Sequence, residues 1–229
     1  MTPLVLIPGM MCDSRMWGNL PIALLPRTLV HALPIGADSV RAIATNILKD
    51  LPTRFALAGL SMGGIVAMEI LRQASDRVTH LALLDTNPLA ETTEMQARRL
   101  AQIAKVEAGG LAELMRDEMK PNYLMPGLGQ PAVLELCMDM AMTLGPEVFI
   151  SQSRALASRA DQQATLESFK GPTLILMGED DQLCPRPRHD LMHKLMPQSR
   201  LVIIEGAAHL PTLEQPTQTT AALRRWLEE

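Results

Sequence analysis

Aromatic residues are scarce in this chain of 229 residues: two tryptophans, one tyrosine and three phenylalanines. An apolar pocket built from such a sequence must be lined mainly by aliphatic and thioether side chains, and 16 methionines are present to do so. Cysteine is sparse as well. Cys12, Cys137 and Cys184 stand far apart, form no C-x-x-C pair and have no histidines at ligand spacing, which argues against a disulfide framework or a zinc site and favours buried free thiols in a reducing compartment. No run of lysine and arginine occurs and the formal net charge is −4, so an electrostatic footprint for nucleic acid is missing. No apolar run reaches the roughly 18 residues that a membrane span needs, and the opening "MTPLVLIPGMMC" has no basic segment ahead of its apolar one. The expectation is a soluble, unexported, cytoplasmic chain.

What is present has the composition of a globular protein, 47% hydrophobic and 20% charged, in a length that fits one large domain or one domain with an insertion. Six short apolar runs lack alternation: "LVLI" (4–7), "TLVHAL" (28–33), "FALAGL" (55–60), "VTHLALL" (78–84), "TLILM" (173–177) and "LVII" (201–204). Such runs fit strands buried on both faces of a parallel sheet. Segments with helical spacing separate them. In "SVRAIATNILKDL" Val40, Ile43, Ile47 and Leu51 form one stripe, and 65–74 and 217–229 read similarly. Strand and helix alternate as in an α/β fold with helices on both faces of the sheet.

The alternation stops between 88 and 165, where helical patterns cover 91–109, 110–120, 132–144 and 146–160, with turn signals in "PNYLMPGLGQP". We read 1–87 and 166–229 as the core and 88–165 as a helical lid inserted into it.

Residues 59–63, "GLSMG", match G-x-S-x-G, with a strand expected before and a helix after. Glycines beside a serine in a tight strand-to-helix turn give it room, and the helix N-terminus offers amide N–H groups to a developing oxyanion. Serine needs a histidine base and an orienting carboxylate, expected here in the order Ser, acid, His on loops after strands. Asp180 and Asp181 follow the strand at 173–177, and His209 follows the last one, in "EGAAHLPTLEQP". His31, His80, His189 and His193 lack that context and are expected to be structural or solvated. The acidic pair Glu179 and Asp180 has no second cluster of oxygen ligands beside it, so no metal is assigned.

With these residues in order, the chain resembles the α/β-hydrolase superfamily, in particular its compact esterases, lactonases and C–C hydrolases. The resemblance implies a mostly parallel sheet of about six strands, because the family's first hairpin has no counterpart before "LVLI". It implies Ser61 as nucleophile and His209 as base, within a family-like "H-x-x-x-x-E-x-P". It implies Asp181 as the acid, the third residue after Gly178, with Asp180 and Asp85 of "LLDTNP" as rivals. The oxyanion donors it implies are the backbone N–H groups of Met62 and of Met10, with Met11 as the alternative, since the loop reads P8-G9-M10-M11 where the family has "H-G-x". Pocket candidates are Met11, Trp17, Met115, Met119 and Met138. The expected activity is hydrolysis of a small to medium apolar ester through an acyl-enzyme, without a cofactor; the partner is a small ester-like molecule. Lactone opening, C–C hydrolysis, perhydrolysis or a lyase reaction could use the same residues, and a non-catalytic ligand-binding scaffold is the reading from another class.

Overall fold

The computed structural model describes residues 1–125 and 130–229. Six parallel strands form one sheet: β1 (Leu4–Ile7), β2 (Leu29–His31), β3 (Phe55–Leu60), β4 (Val78–Leu84), β5 (Thr173–Gly178) and β6 (Arg200–Ile204), in the order β2-β1-β3-β4-β5-β6. The strand expected over 28–33 is shorter. β2 lies at the sheet edge, pairing only with β1, and its ladder ends at Leu6 opposite His31, shortly before Pro34. All residues of β1, β3 and β5 are buried, which is why their sequences run apolar without alternation.

The helices are α1 (Leu20–Ala23), α2 (Val40–Asp50), α3 (Met62–Gln73), α4 (Thr93–Glu107), α5 (Leu111–Leu114), α6 (Gln130–Ala157), α7 (Gln163–Ser168), α8 (Arg186–Leu195), α9 (Pro211–Glu214) and α10 (Pro216–Trp226). Ser39 caps α2 by accepting the Ala42 N–H, and Thr92 caps α4 by accepting that of Met95. Two apolar layers cover the sheet. Val5, Ile7 and Leu57 point into one, shared with Ile43 of α2 and Val66 and Ile70 of α3. Leu4, Leu6, Ala56 and Ala58 point into the other, shared with Trp17, Leu223 and Trp226.

Between β4 and β5 the regular elements among the described residues are all helical. The 110–120 segment does not form one α-helix. After α5 it passes through a π-helical turn at Met115–Met119 and a 3-10 turn at Lys120–Asn122, where Pro121 brings no N–H to continue an α ladder. α6 bends at Gly145 (φ 81°, ψ 176°), directly before Pro146, so the two helices expected over 132–144 and 146–160 meet there without an intervening loop. Part of the expected turn in "PNYLMPGLGQP", residues 126–129, lies outside the described residues. No helix among them is long and apolar enough to cross a membrane.

The chain leaves β1 toward one edge of the sheet and later strands extend toward the other, so the order reverses between β1 and β3. The loops that follow those two strands flank a crevice, the usual place for a ligand site in an open α/β sheet. Their approach depends on missing side chains. A Cβ at Gly63 would lie 2.0 Å from the Ile7 carbonyl oxygen, and one at Gly59 would lie 2.2 Å from that of Gly63. Both obstacles are backbone, so neither can step aside. Replacing Gly63 by Ala should therefore destabilise the fold by about 3 kcal/mol, lowering the midpoint of thermal unfolding by roughly 6–12 °C. An unchanged midpoint in differential scanning calorimetry would contradict this packing.

Candidate active site

Ser61 sits at the junction of β3 and α3 with φ 54° and ψ −117°, a left-handed backbone that a non-glycine residue adopts at a cost of about 1–3 kcal/mol. Its backbone bonds show what holds it there. The Ser61 N–H donates to the Leu84 carbonyl at 2.9 Å, prolonging the β3–β4 ladder. The Ser61 carbonyl accepts from the Thr86 hydroxyl at 2.7 Å and from the amides of Gly64 at 3.0 Å and Ile65 at 3.2 Å. With both backbone groups saturated, the side chain stands clear of the turn.

Its hydroxyl lies 2.9 Å from His209 Nε2, and His209 Nδ1 lies 2.9 Å from Asp181 Oδ2. An ionised Asp181 can only accept, so Nδ1 carries the proton and Nε2 presents its lone pair to the Ser61 hydroxyl. The other Asp181 oxygen accepts the amides of Leu183 at 2.8 Å and Cys184 at 3.0 Å. Burial opposes a charge on Asp181, but His209 and those amides outweigh it and hold the carboxyl below its ordinary pKa. Asp181, Cys184 and His209 also present metal-ligating atoms within 4.8 Å of one another, yet both Asp181 oxygens and both His209 nitrogens are already engaged within the site.

The two rival acids lie elsewhere. Asp180 is exposed and bonds through its backbone to Ala207. Asp85 is buried at φ 44°, where one carboxyl oxygen accepts the Gly178 N–H at 2.8 Å and the other has no partner among the described residues. Burial, reinforced by the charge on Asp181, raises the Asp85 pKa well above the carboxylate range, against the pull of the Gly178 amide.

The first loop separates its two candidate donors. The Met11 N–H, on a residue with φ 55°, donates to Gln152 Oε1 at 2.9 Å, while Gln152 Nε2 donates to the Pro34 carbonyl. The amides of Met10 and Met62 have no protein acceptor among the described residues, and both residues border the cavity over Ser61.

That cavity, about 490 Å³, is lined by Ser61, His209, Met10, Met62, Met119, Tyr123 and Cys184, among others. Four of the expected pocket residues are absent from its walls. Met11 and Met115 are buried in the layer that holds α2 and α3, and Met138 packs against that layer. Trp17 is fully buried in the opposite layer. Large apolar side chains gain most from complete burial, and these take it inside the protein. Nor is the cavity simply apolar, because Arg98, Arg99, Arg159 and Arg188 line it with Glu91 and Glu118. Cys184, expected to be buried, is only partly buried there.

Other residues escaped a reading from the sequence. Glu214, the acid of "H-x-x-x-x-E-x-P", accepts the amides on either side of His209, from Ala208 at 3.0 Å and Leu210 at 3.1 Å, and that of Met125 at 2.8 Å. The Tyr123 carbonyl accepts the His209 N–H at 3.0 Å. Gln152 fixes the first loop from across the helical segment. Of the remaining histidines, His80 packs edge-on against Trp226, His193 bonds Ser199, and His189 is buried with its pKa pushed down to about 4 by that burial.

Comparison with known proteins decides the family. A model of the alpha/beta hydrolase family matches residues 4–223. The chain belongs to that family. It is 22% identical over 240 residues to a pimeloyl-[acyl-carrier protein] methyl ester esterase of Yersinia pseudotuberculosis, covering 99% of this chain and 93% of that protein. A thermophilic esterase from Thermogutta terrifontis, solved with malate bound, superposes with a TM-score of 0.90 at 29% identity, covering 100% of this chain and 90% of the other. The enol-lactonase from Burkholderia xenovorans LB400 superposes at 0.86 with 20% identity, covering 100% and 92%. This α/β hydrolase is accordingly an enzyme, with esterases among its relatives.

The buried Asp85 generates a pH prediction. A carboxyl whose pKa is higher folded than unfolded binds more protons in the folded state, so its contribution to stability declines as pH rises through and above the ordinary carboxylate range. Asp85→Asn keeps an acceptor for Gly178 and cannot ionise. Its unfolding midpoint, measured against wild type, should shift upward between pH 4 and pH 8, and a difference independent of pH would contradict a strained buried carboxyl.

Proposed function

We propose that the enzyme hydrolyses carboxylic esters of small to medium size through an acyl-enzyme on Ser61. The observation that carries this reading is the continuous relay from the Ser61 hydroxyl through His209 to Asp181, with 2.9 Å at each step, beneath a cavity of substrate size. The relatives named as esterases favour an ester over a carbon–carbon bond as the target.

His209 Nε2 takes the Ser61 proton as the hydroxyl oxygen attacks the ester carbonyl carbon, and Asp181 stabilises the imidazolium so formed. The carbonyl π electrons move onto oxygen. The amides of Met10 and Met62 receive that oxyanion, each donor contributing about 3 kcal/mol to transition-state stabilisation. The tetrahedral intermediate collapses, the C–O bond to the alcohol breaks, and His209 protonates the departing alkoxide. Water then attacks the acyl-enzyme with His209 again as base, releasing the acid and restoring Ser61. A lactone, being a cyclic ester, would open by the same steps. None of them calls for a cofactor or a metal.

The helices of 88–165 act in this reading as the lid that selects the substrate, since α4 and the turns after α5 contribute Arg99, Met119 and Tyr123 to the cavity. Three free thiols suit a reducing compartment such as the cytoplasm.

A fluorophosphonate probe should label the wild-type chain at one site and fail to label Ser61→Ala. Turnover of p-nitrophenyl butyrate should fall about 10⁶-fold in Ser61→Ala and about 10⁴-fold in Asp181→Asn, where the imidazole loses the acceptor that sets its tautomer. Folded wild type that takes no label would overturn the reading.

A further inference from the structure

The walls of the cavity carry the opposite sign of charge to the protein as a whole. The chain is formally −4, yet the charged residues lining this space are four arginines against two glutamates. Glu118 shares Lys105 with Glu113, at 3.2 Å and 2.8 Å, and its side chain is 37% exposed, so water screens its charge. Glu91 is shared. Its two oxygens meet Arg99 Nε and, at 3.1 Å, Arg159 Nη1, in a group whose side chains are only 4%, 13% and 7% exposed for Glu91, Arg99 and Arg159.

Two guanidinium groups on one carboxylate leave one positive charge uncompensated in a nearly dry place. Burying such an excess is costly unless a counter-charge arrives. Arg159 spends its Nε on the Leu89 carbonyl at 2.9 Å. Arg99 reaches past Glu91 until its Nη1 lies 3.9 Å from Met10 Sδ, beside the loop whose amide faces the reacting carbonyl. Arg98 and Arg188 complete the positive side of the cavity. They come from α4 and α8, and neither makes an ion pair with a described residue.

We propose that the ester hydrolysed at Ser61 carries a carboxylate of its own, the half-ester of a dicarboxylic acid, and that Arg99 and Arg159 hold this carboxylate. This deepens the ester-hydrolase reading and rests on it. One bound carboxylate would turn the two-to-one group into two balanced pairs, and the planar guanidinium fork matches the two oxygens of a carboxylate. A single uncompensated charge favours a carboxylate over a phosphate dianion. The position of Arg99 beside Met10 puts the anion toward the first loop and not out in solvent, while Arg98 and Arg188 add to the field that draws an anionic substrate in. This accounts for the charged residues in a cavity that methionine and leucine also line.

Methyl hydrogen adipate and methyl hexanoate test it, since they offer the same ester on chains of equal length with and without the charge. Wild type should prefer the half-ester by about tenfold or more in kcat/KM, the equivalent of one charge-assisted hydrogen bond. Arg99→Gln leaves Glu91 and Arg159 as a balanced pair and should bring that ratio close to one, whereas Arg224→Gln, outside the cavity, should preserve it. Arg188→Gln, on the half-buried side of the cavity, should lower the ratio less and supplies the readout if Arg99→Gln does not fold.

A wild-type ratio near or below one, or a ratio unchanged in both cavity variants, would overturn the inference and leave the hydrolase reading standing. If neither ester is turned over and Ser61 takes no fluorophosphonate, it is the hydrolase reading that fails. Calorimetric titration with adipate then decides the anion site separately: binding weakened in Arg99→Gln supports it, no binding to wild type refutes it, and tighter binding of inorganic phosphate assigns it to a different anion.

Discussion

Everything in the site is referred to one strained residue. Ser61 is held in a left-handed conformation by three donors on its carbonyl and by the Leu84 acceptor on its N–H. This anchoring is possible only because Gly59 and Gly63 let β3, α3 and β1 approach to distances that any Cβ would forbid. The strain is local, whereas the restraints come from β4, from Thr86 just after it, and from α3. The same crowding brings the loop after β1 alongside the start of α3, so that Met10 and Met62 border one cavity. Packing thus fixes Ser61, Met10 and Met62 together.

The histidine and its acid are held by a different device, a set of buried and partly buried carboxylates that gather backbone amides. Asp181 accepts two amides of its own loop, Glu214 accepts the two that flank the His209 residue, and Asp85 accepts the Gly178 amide at the end of β5. Loops without regular structure become rigid when their amides converge on one acceptor. Only Asp181 also meets the imidazole, and the contrast with Asp85 is electrostatic: three donors stabilise charge on one, while burial and a neighbouring negative charge, opposed by a single amide, push the pKa of the other up.

The strands were legible in the sequence because a parallel sheet covered on both faces demands unbroken apolar runs, and "FALAGL" and "TLILM" could be little else. The serine turn was legible because its glycines answer a steric need that is local in the chain. The pocket was not. Sequence composition counts methionines without saying which way they face, and Met11, Trp17, Met115 and Met138 all spend their apolar surface in the core, where burial is most favourable. Gln152, Glu91 and Arg159 stand far from Ser61 along the chain, and their roles depend on how the helices after β4 settle over the sheet. Nothing periodic marks them. Charged residues on amphipathic helices read as a solvated face, and here part of that face turns inward onto the cavity.

In the proposed reaction the β3–α3 turn presents Ser61 as the covalent nucleophile. This role is tested most directly by acid-quenching the wild-type enzyme in the first turnovers of p-nitrophenyl butyrate and locating the added mass by peptide mass spectrometry. A butyryl group on the peptide containing Ser61, formed together with a burst of one p-nitrophenolate per chain, is the predicted result. Turnover with no burst and no acylated peptide, or an acyl group on another residue, would contradict it.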